Sequence, residues 1–89
     1  MPKPFPLDMD FPGSSAIVRA RYRPEMRQLD LWWRASDDDE AGRGYAYLDV
    51  PPEKWRALLK VHEAGGSVGE YANRQVKDLH EVAPLEIEA

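Results

Sequence analysis

Arg19, Arg21 and Arg23 stand at alternate positions, and Asp30, Trp32 and Arg34 repeat that spacing a few residues later. Side chains two apart share one face of a β-strand. Guanidiniums gathered around an exposed indole can hold phosphates and stack on a nucleobase. Tyr45 and Tyr47, following Arg43, offer a second stacking pair at the same spacing. Asn73 and Lys77 fall four apart, so one helix face could bring both to a single phosphate or carboxylate. The candidate contacts to nucleic acid or to a partner protein are therefore Arg19, Arg21, Arg23, Trp32, Arg34, Arg43, Tyr45, Tyr47, Asn73 and Lys77.

Each candidate has a plainer reading. Arginines at alternate strand positions also protect a sheet face and pair with acids such as Asp30. Tyr45 and Tyr47 suit a core beside Leu29, Leu31 and Trp33, with their hydroxyls at the rim. Both readings of the tyrosines stay open. Trp32 stands out, because a large aromatic on a polar face calls for a partner or a cover.

No catalytic set assembles. There is no cysteine, and Ser14, Ser15, Ser36 and Ser67 lack a Gly-x-Ser-x-Gly setting. His62 and His80 are far apart and read as lone helix-surface groups rather than ligands. Asp37-Asp38-Asp39-Glu40 lacks the alternate spacing and distant glutamate of a calcium loop. Gly65-Gly66-Ser67-Val68-Gly69 lacks the lysine and preceding strand of a phosphate loop. The expectation is a binding module that is not an enzyme, with no metal and no cofactor.

The elements that position these residues follow from periodicity. Val18, Ala20 and Tyr22 alternate with the three arginines, Pro24-Glu25-Met26-Arg27 turns the chain, and Leu29, Leu31 and Trp33 resume the alternation. This is a hairpin. After the polar stretch Ser36 to Gly42, a third strand runs from about Gly44 to Val50. Pro51-Pro52 ends it and opens a helix whose stripe is Trp55, Leu58, Leu59 and His62. Gly65-Gly66 closes that helix, and Ser67 to Glu70 has capping-box spacing for a second one, striped by Val68, Tyr71, Ala72, Val76 and Leu79. The predicted fold is α+β: a three-stranded antiparallel meander followed by two C-terminal helices packed on its apolar face. Val18, Tyr22, Leu29, Leu31, Trp33, Leu48, Trp55, Leu58, Leu59, Tyr71, Val76 and Leu79 form the expected core.

The 89 residues make one small domain with 43% hydrophobic and 31% charged residues, and no apolar run is long enough to span a membrane. Residues 1–13 read as a proline-rich tail, 14–80 as the domain and 81–89 as a flexible acidic tail. Without a signal-type apolar stretch, the cytoplasm is the expected location. A net charge of −4 opposes indiscriminate phosphate binding, yet the acid gathers in residues 37–40 and 61–89 and leaves the strands locally basic.

With Ser14-Ser15-Ala16-Ile17, Tyr22, Leu29-x-Leu31-x-Trp33, Tyr45-Ala46-Tyr47-Leu48-Asp49-Val50-Pro51 and Gly69-Glu70-Tyr71-Ala72-Asn73 in that order, the chain resembles the KTSC domain. The resemblance runs from about Ser14 to Leu79. It implies a kinship with the C-terminal domain of some lysyl-tRNA synthetases, for which the family is named. It also implies short stand-alone bacterial, phage or plasmid proteins and a suggested role in RNA binding. This chain departs from the pattern in its acidic loop at 36–42, in Ala72 where an aromatic is usual, and in His80 near the place of a late aromatic. The function expected is a small non-catalytic module for RNA or single-stranded nucleic acid. The alternative is a protein interaction module, either a homodimer or an adaptor for a basic partner.

Overall fold

The computed structural model of the chain describes residues 7–11, 13–36, 38 and 41–85. Five strands form one antiparallel sheet in chain order: β1 (Asp8–Asp10), β2 (Ile17–Arg23), β3 (Gln28–Trp33), β4 (Arg43–Tyr47) and β5 (Val82–Pro84). Helix α1 (Pro52–Glu63) leads into α2 (Val68–Ala72), which continues as a π-helical turn, Asn73–Lys77. The three-stranded meander expected from the sequence is β2–β3–β4, and it gains a short strand at each edge.

Those edge strands correct the reading of both termini. Asp8–Asp10 pairs with Arg19–Arg21 and so belongs to the sheet rather than to a tail. Phe11 follows it into the core and is fully buried. At the other end Val82–Pro84 pairs with Tyr45–Tyr47 inside the segment read as a loose tail. The rest of the N-terminal segment (1–6 and 12) and residues 86–89 lie outside the described residues, as do Asp37, Asp39 and Glu40 of the acidic loop.

The helices cover the face carrying Ile17, Ala20, Tyr22, Leu29, Leu31 and Tyr47, against which Trp55, Leu58, Leu59, Val68, Ala72 and Val76 pack. A β-bulge between Ile17 and Arg19 decides which residues of β2 face inward. The bulge inserts one residue, so Ile17 joins Ala20 and Tyr22 in the core while Val18 is left half-buried. Tyr22 stacks on Trp55 with ring centroids 5.9 Å apart and donates its hydroxyl to the carbonyl of Val50, 2.7 Å away. That bond fixes where the chain turns from sheet to helix, and burial raises the phenol's pKa above its ordinary value.

Helix α1 begins on the proline pair, with Pro51 as N-cap and Pro52 as first helical residue. It ends in a Schellman arrangement: Gly66 N–H donates to Val61, Gly65 N–H to His62, and Gly65 takes φ +78°. Ser67 Oγ accepts the Glu70 N–H at 3.1 Å, as the capping box requires. Gly69 lies so close to the residue leading into β2 that an added Cβ would overlap Ala16 Cβ. Besides Val18, four expected core residues are not fully buried: Trp33, Leu48, Tyr71 and Leu79. Leu48 lies past the end of β4 and Leu79 past the π turn, where the wider winding carries it off the helix stripe, and both are exposed. Tyr71 is only partly buried against the core.

His80 does not sit on a helix surface. It lies in the turn before β5, where its Nε2 is 2.8 Å from Lys54 Nζ, and Lys54 also donates to the Gln75 carbonyl at 2.6 Å. Burial and the Lys54 charge lower its pKa below 6.5, against hydrogen bonds to the Leu48 and Asp49 backbone and the Asp49 charge that raise it. A depressed folded-state pKa means that this clasp stabilises the fold above the unfolded value and loses that contribution as pH falls through the folded one. The stability gap between wild type and His80→Gln, measured by urea denaturation, is therefore expected to narrow between about pH 7.5 and about pH 5. Gly69→Ala is expected to cost about 1–3 kcal/mol in the same assay, because Ala16 must move to admit the methyl.

Candidate binding surface

The side of the sheet away from the helices carries the arginines. Register places Arg21 opposite Asp30, Arg19 opposite Trp32 and Arg23 opposite Gln28, while β1 sets Asp8 opposite Arg21 and Asp10 opposite Arg19. On β4, Ala46 lies opposite Asp30 and Gly44 opposite Trp32.

Asp30 is the centre of this face and is 0% exposed. Its Oδ2 accepts from Arg21 Nη2 at 3.1 Å, from Arg21 Nε at 3.3 Å and from Arg23 Nε at 3.1 Å, and its Oδ1 accepts from Gln28 Nε2 at 2.7 Å. A buried carboxylate needs such partners. Arg19 binds Asp8 through two parallel hydrogen bonds, from Nε and Nη2, and this contact holds the Asp8 pKa below its ordinary value. The Arg19 and Arg21 guanidinium carbons also lie 5.1 and 5.4 Å from the centre of the Trp32 ring, within cation–π range. The indole extends over Gly44, where a Cβ would come within 2.7 Å of its Nε1 and 2.9 Å of Leu85 Cδ1. Arg19, Arg21, Arg23 and Trp32 thus form one linked layer, and three acids balance its three guanidiniums.

The other candidates are placed elsewhere. Arg34 Nε donates to the Ser14 carbonyl at 3.1 Å, clamping the loop before β2. Arg43, Tyr45 and Tyr47 lie opposite Trp33, Leu31 and Leu29, on the side that the helices cover. Tyr47 is buried and its hydroxyl accepts from Trp33 Nε1 at 2.9 Å; burial raises its pKa, with the indole N–H opposing. Tyr45 is half-buried, and Lys77 Nζ lies 5.7 Å from the centre of the partly buried Trp33 ring. Asn73 is exposed at the start of the π turn. The ten residues therefore do not form one site: the tyrosines belong mainly to packing, and only the arginine and Trp32 set is gathered on the open face.

Sequence reasoning missed the contributions of Asp8, Gln28, Gly44 and Leu85. A charged residue between two leucines in a central strand was the available signal for Asp30 and its neighbours. Nothing local marks Gly44 or Leu85. Among the described residues no group of three or more histidines and carboxylates could hold a metal, and no helix is long and apolar enough to cross a membrane.

Fold and surface together define a small α+β domain: an antiparallel sheet with helices on one side and a charged, helix-free face on the other. The KTSC domain family model matches residues 13–79, and the chain belongs to that family. Its fold is similar to the crystal structure of a KTSC domain protein from Yersinia pestis, at 22% identity and a TM-score of 0.71, covering 89% of this chain and 96% of that one. Among curated proteins none is similar to the chain. The family match takes in β2–β4 and both helices, while the edge strands β1 and β5 lie beyond it.

Replacing Asp30 with alanine removes the acceptor for two guanidiniums and a carboxamide, but the arginines are partly exposed and can turn to water. Asp30→Ala is expected to lose about 1–3 kcal/mol in urea denaturation. Asp30→Asn, which keeps an acceptor oxygen, is expected to lose less.

Proposed function

We propose that this domain is a non-catalytic binding module that takes RNA or single-stranded nucleic acid on the open face of its sheet. The carrying observation is Asp30, a fully buried carboxylate holding the Arg21 and Arg23 side chains in fixed orientation, with Arg21 beside Trp32. Guanidiniums have five N–H donors, and the bonds to Asp8 and Asp30 use one from Arg23 and two each from Arg19 and Arg21. The remaining donors and the planar guanidinium faces suit a phosphate and a stacked base.

Because each arginine already has an acid beside it, few counterions would leave on binding. The affinity is expected to be modest, with a log–log salt slope of about −1 to −2. Titrating an RNA of about eight nucleotides at low salt should shift the Trp32 indole and Arg19 side-chain NMR signals. In Arg19→Ala/Arg21→Ala the Trp32 change should vanish. Trp32 signals that stay fixed under excess RNA would remove this reading. A second reading, a protein partner on the same face, is favoured by the balance of Asp8, Asp10 and Asp30 against Arg19, Arg21 and Arg23. Self-association in sedimentation that Trp32→Ala abolishes, without any RNA response, would select it.

A further inference from the structure

We propose that the groove between the end of β4 and the turn before β5 docks a basic segment of a partner protein, with a large aliphatic side chain as its anchor. The groove encloses about 360 Å³ and is lined by Leu48, Asp49, Leu79, His80 and Glu81. This volume is within the range of ligand-binding clefts. A single exposed leucine is ordinary on a protein surface. Here Leu48 at 37% and Leu79 at 60% exposure line the same cleft, and neither has a place in the core.

The groove is held open by its own floor. Lys54 ties His80 to α1, and the Leu48 N–H donates to the Glu81 carbonyl at 2.8 Å, so the two walls are fastened together at their base. Asp49 has a left-handed backbone, φ +55°, that turns the chain sharply after Leu48. Its carboxylate is 90% exposed and forms a loose ion pair with the exposed Arg27 at 3.8 Å, a surface contact that contributes little and that a cationic partner can replace. Lys54, the cation at the floor, is engaged with the Gln75 carbonyl and His80.

Asp49 and Glu81 therefore give this mixed cleft, with Leu48 and Leu79 as its apolar part, an acidic rim, which selects the occupant by charge. A second copy of this chain, with its net charge of −4, would bring acid against acid. Nucleic acid would be repelled in the same way. A cationic segment is attracted, and a leucine-sized side chain on it covers Leu48 and Leu79. This site lies apart from the arginine layer and does not depend on what that layer binds.

The test is an NMR titration of the whole chain with an acetylated, amidated hexapeptide, Lys-Leu-Lys-Lys-Leu-Lys, and with its counterpart carrying serine for leucine. Amide shifts are expected at Leu48, Asp49, Leu79 and Glu81, with binding about tenfold weaker for the serine peptide. Asp49→Asn/Glu81→Lys is expected to weaken the leucine peptide by a similar factor. Should that pair of substitutions disturb the fold, Leu79→Ser at its exposed position supplies the same readout. Unmoved amides at these four residues under millimolar peptide would overturn the proposal, as would equal affinity for the two peptides or full affinity in the folded variant.

Discussion

Leu29, Asp30 and Leu31, consecutive in the central strand, are all fully buried, and the rest of the molecule is arranged around that fact. Alternation along a strand sends the two leucines to the helix side and the carboxylate to the other. An ionised carboxylate withdrawn from water must be met by donors, so β2 has to present Arg21 and Arg23 at the matching height. A slip of one residue in the pairing would put the acid among the aliphatic side chains and the leucines in solvent. Hydrophobic burial on one side and charge pairing on the other therefore enforce the same register. Tyr22 extends this order to α1 through its bond to Val50 and its stacking on Trp55.

The parts of the fold that were legible in the sequence are those with several periods of pattern. β2, β3 and β4 alternate over enough residues to be recognised, and α1 carries a proline start, an apolar stripe and a glycine stop. β1 and β5 have three residues each, too few to show a period, and prolines flank one and end the other. They exist because the edges of the longer strands offer hydrogen bonds, which is a tertiary cause. The bulge at Ile17 to Arg19 and the π turn at Asn73–Lys77 each shift the phase of a correct pattern, exchanging Val18 for Ile17 in the core and leaving Leu79 outside.

For the candidate site, the sequence located the arginine and tryptophan layer on the correct face but did not show how closed it is. Pairing between strands is invisible until register is known, and register turns Arg19, Arg21 and Arg23 from a basic patch into a neutral network. Recognition there would rest on the shape and direction of N–H groups more than on net charge. The two tyrosines illustrate the opposite case. Tyr47 is spent on a partly buried hydrogen bond with Trp33, so the most distinctive strand of the sequence identifies the family and supports the helices rather than offering a platform.

The outermost strands also determine whether one molecule can extend another. Glu81, which accepts from Leu48 N–H, and Leu85, which donates to Gly44, flank β5 and bond toward β4, so by alternation the groups of Val82 and Pro84 point away from the sheet. Pro84 has no N–H to give, leaving Val82 as that strand's single outward donor. β1 turns outward the backbone of Asp8 and Asp10, residues whose own side chains are acidic. Two copies approaching edge to edge would meet like charge on one side and a missing donor on the other. The sheet is thus a ladder terminated at both edges, which disfavours edge-to-edge pairing between copies.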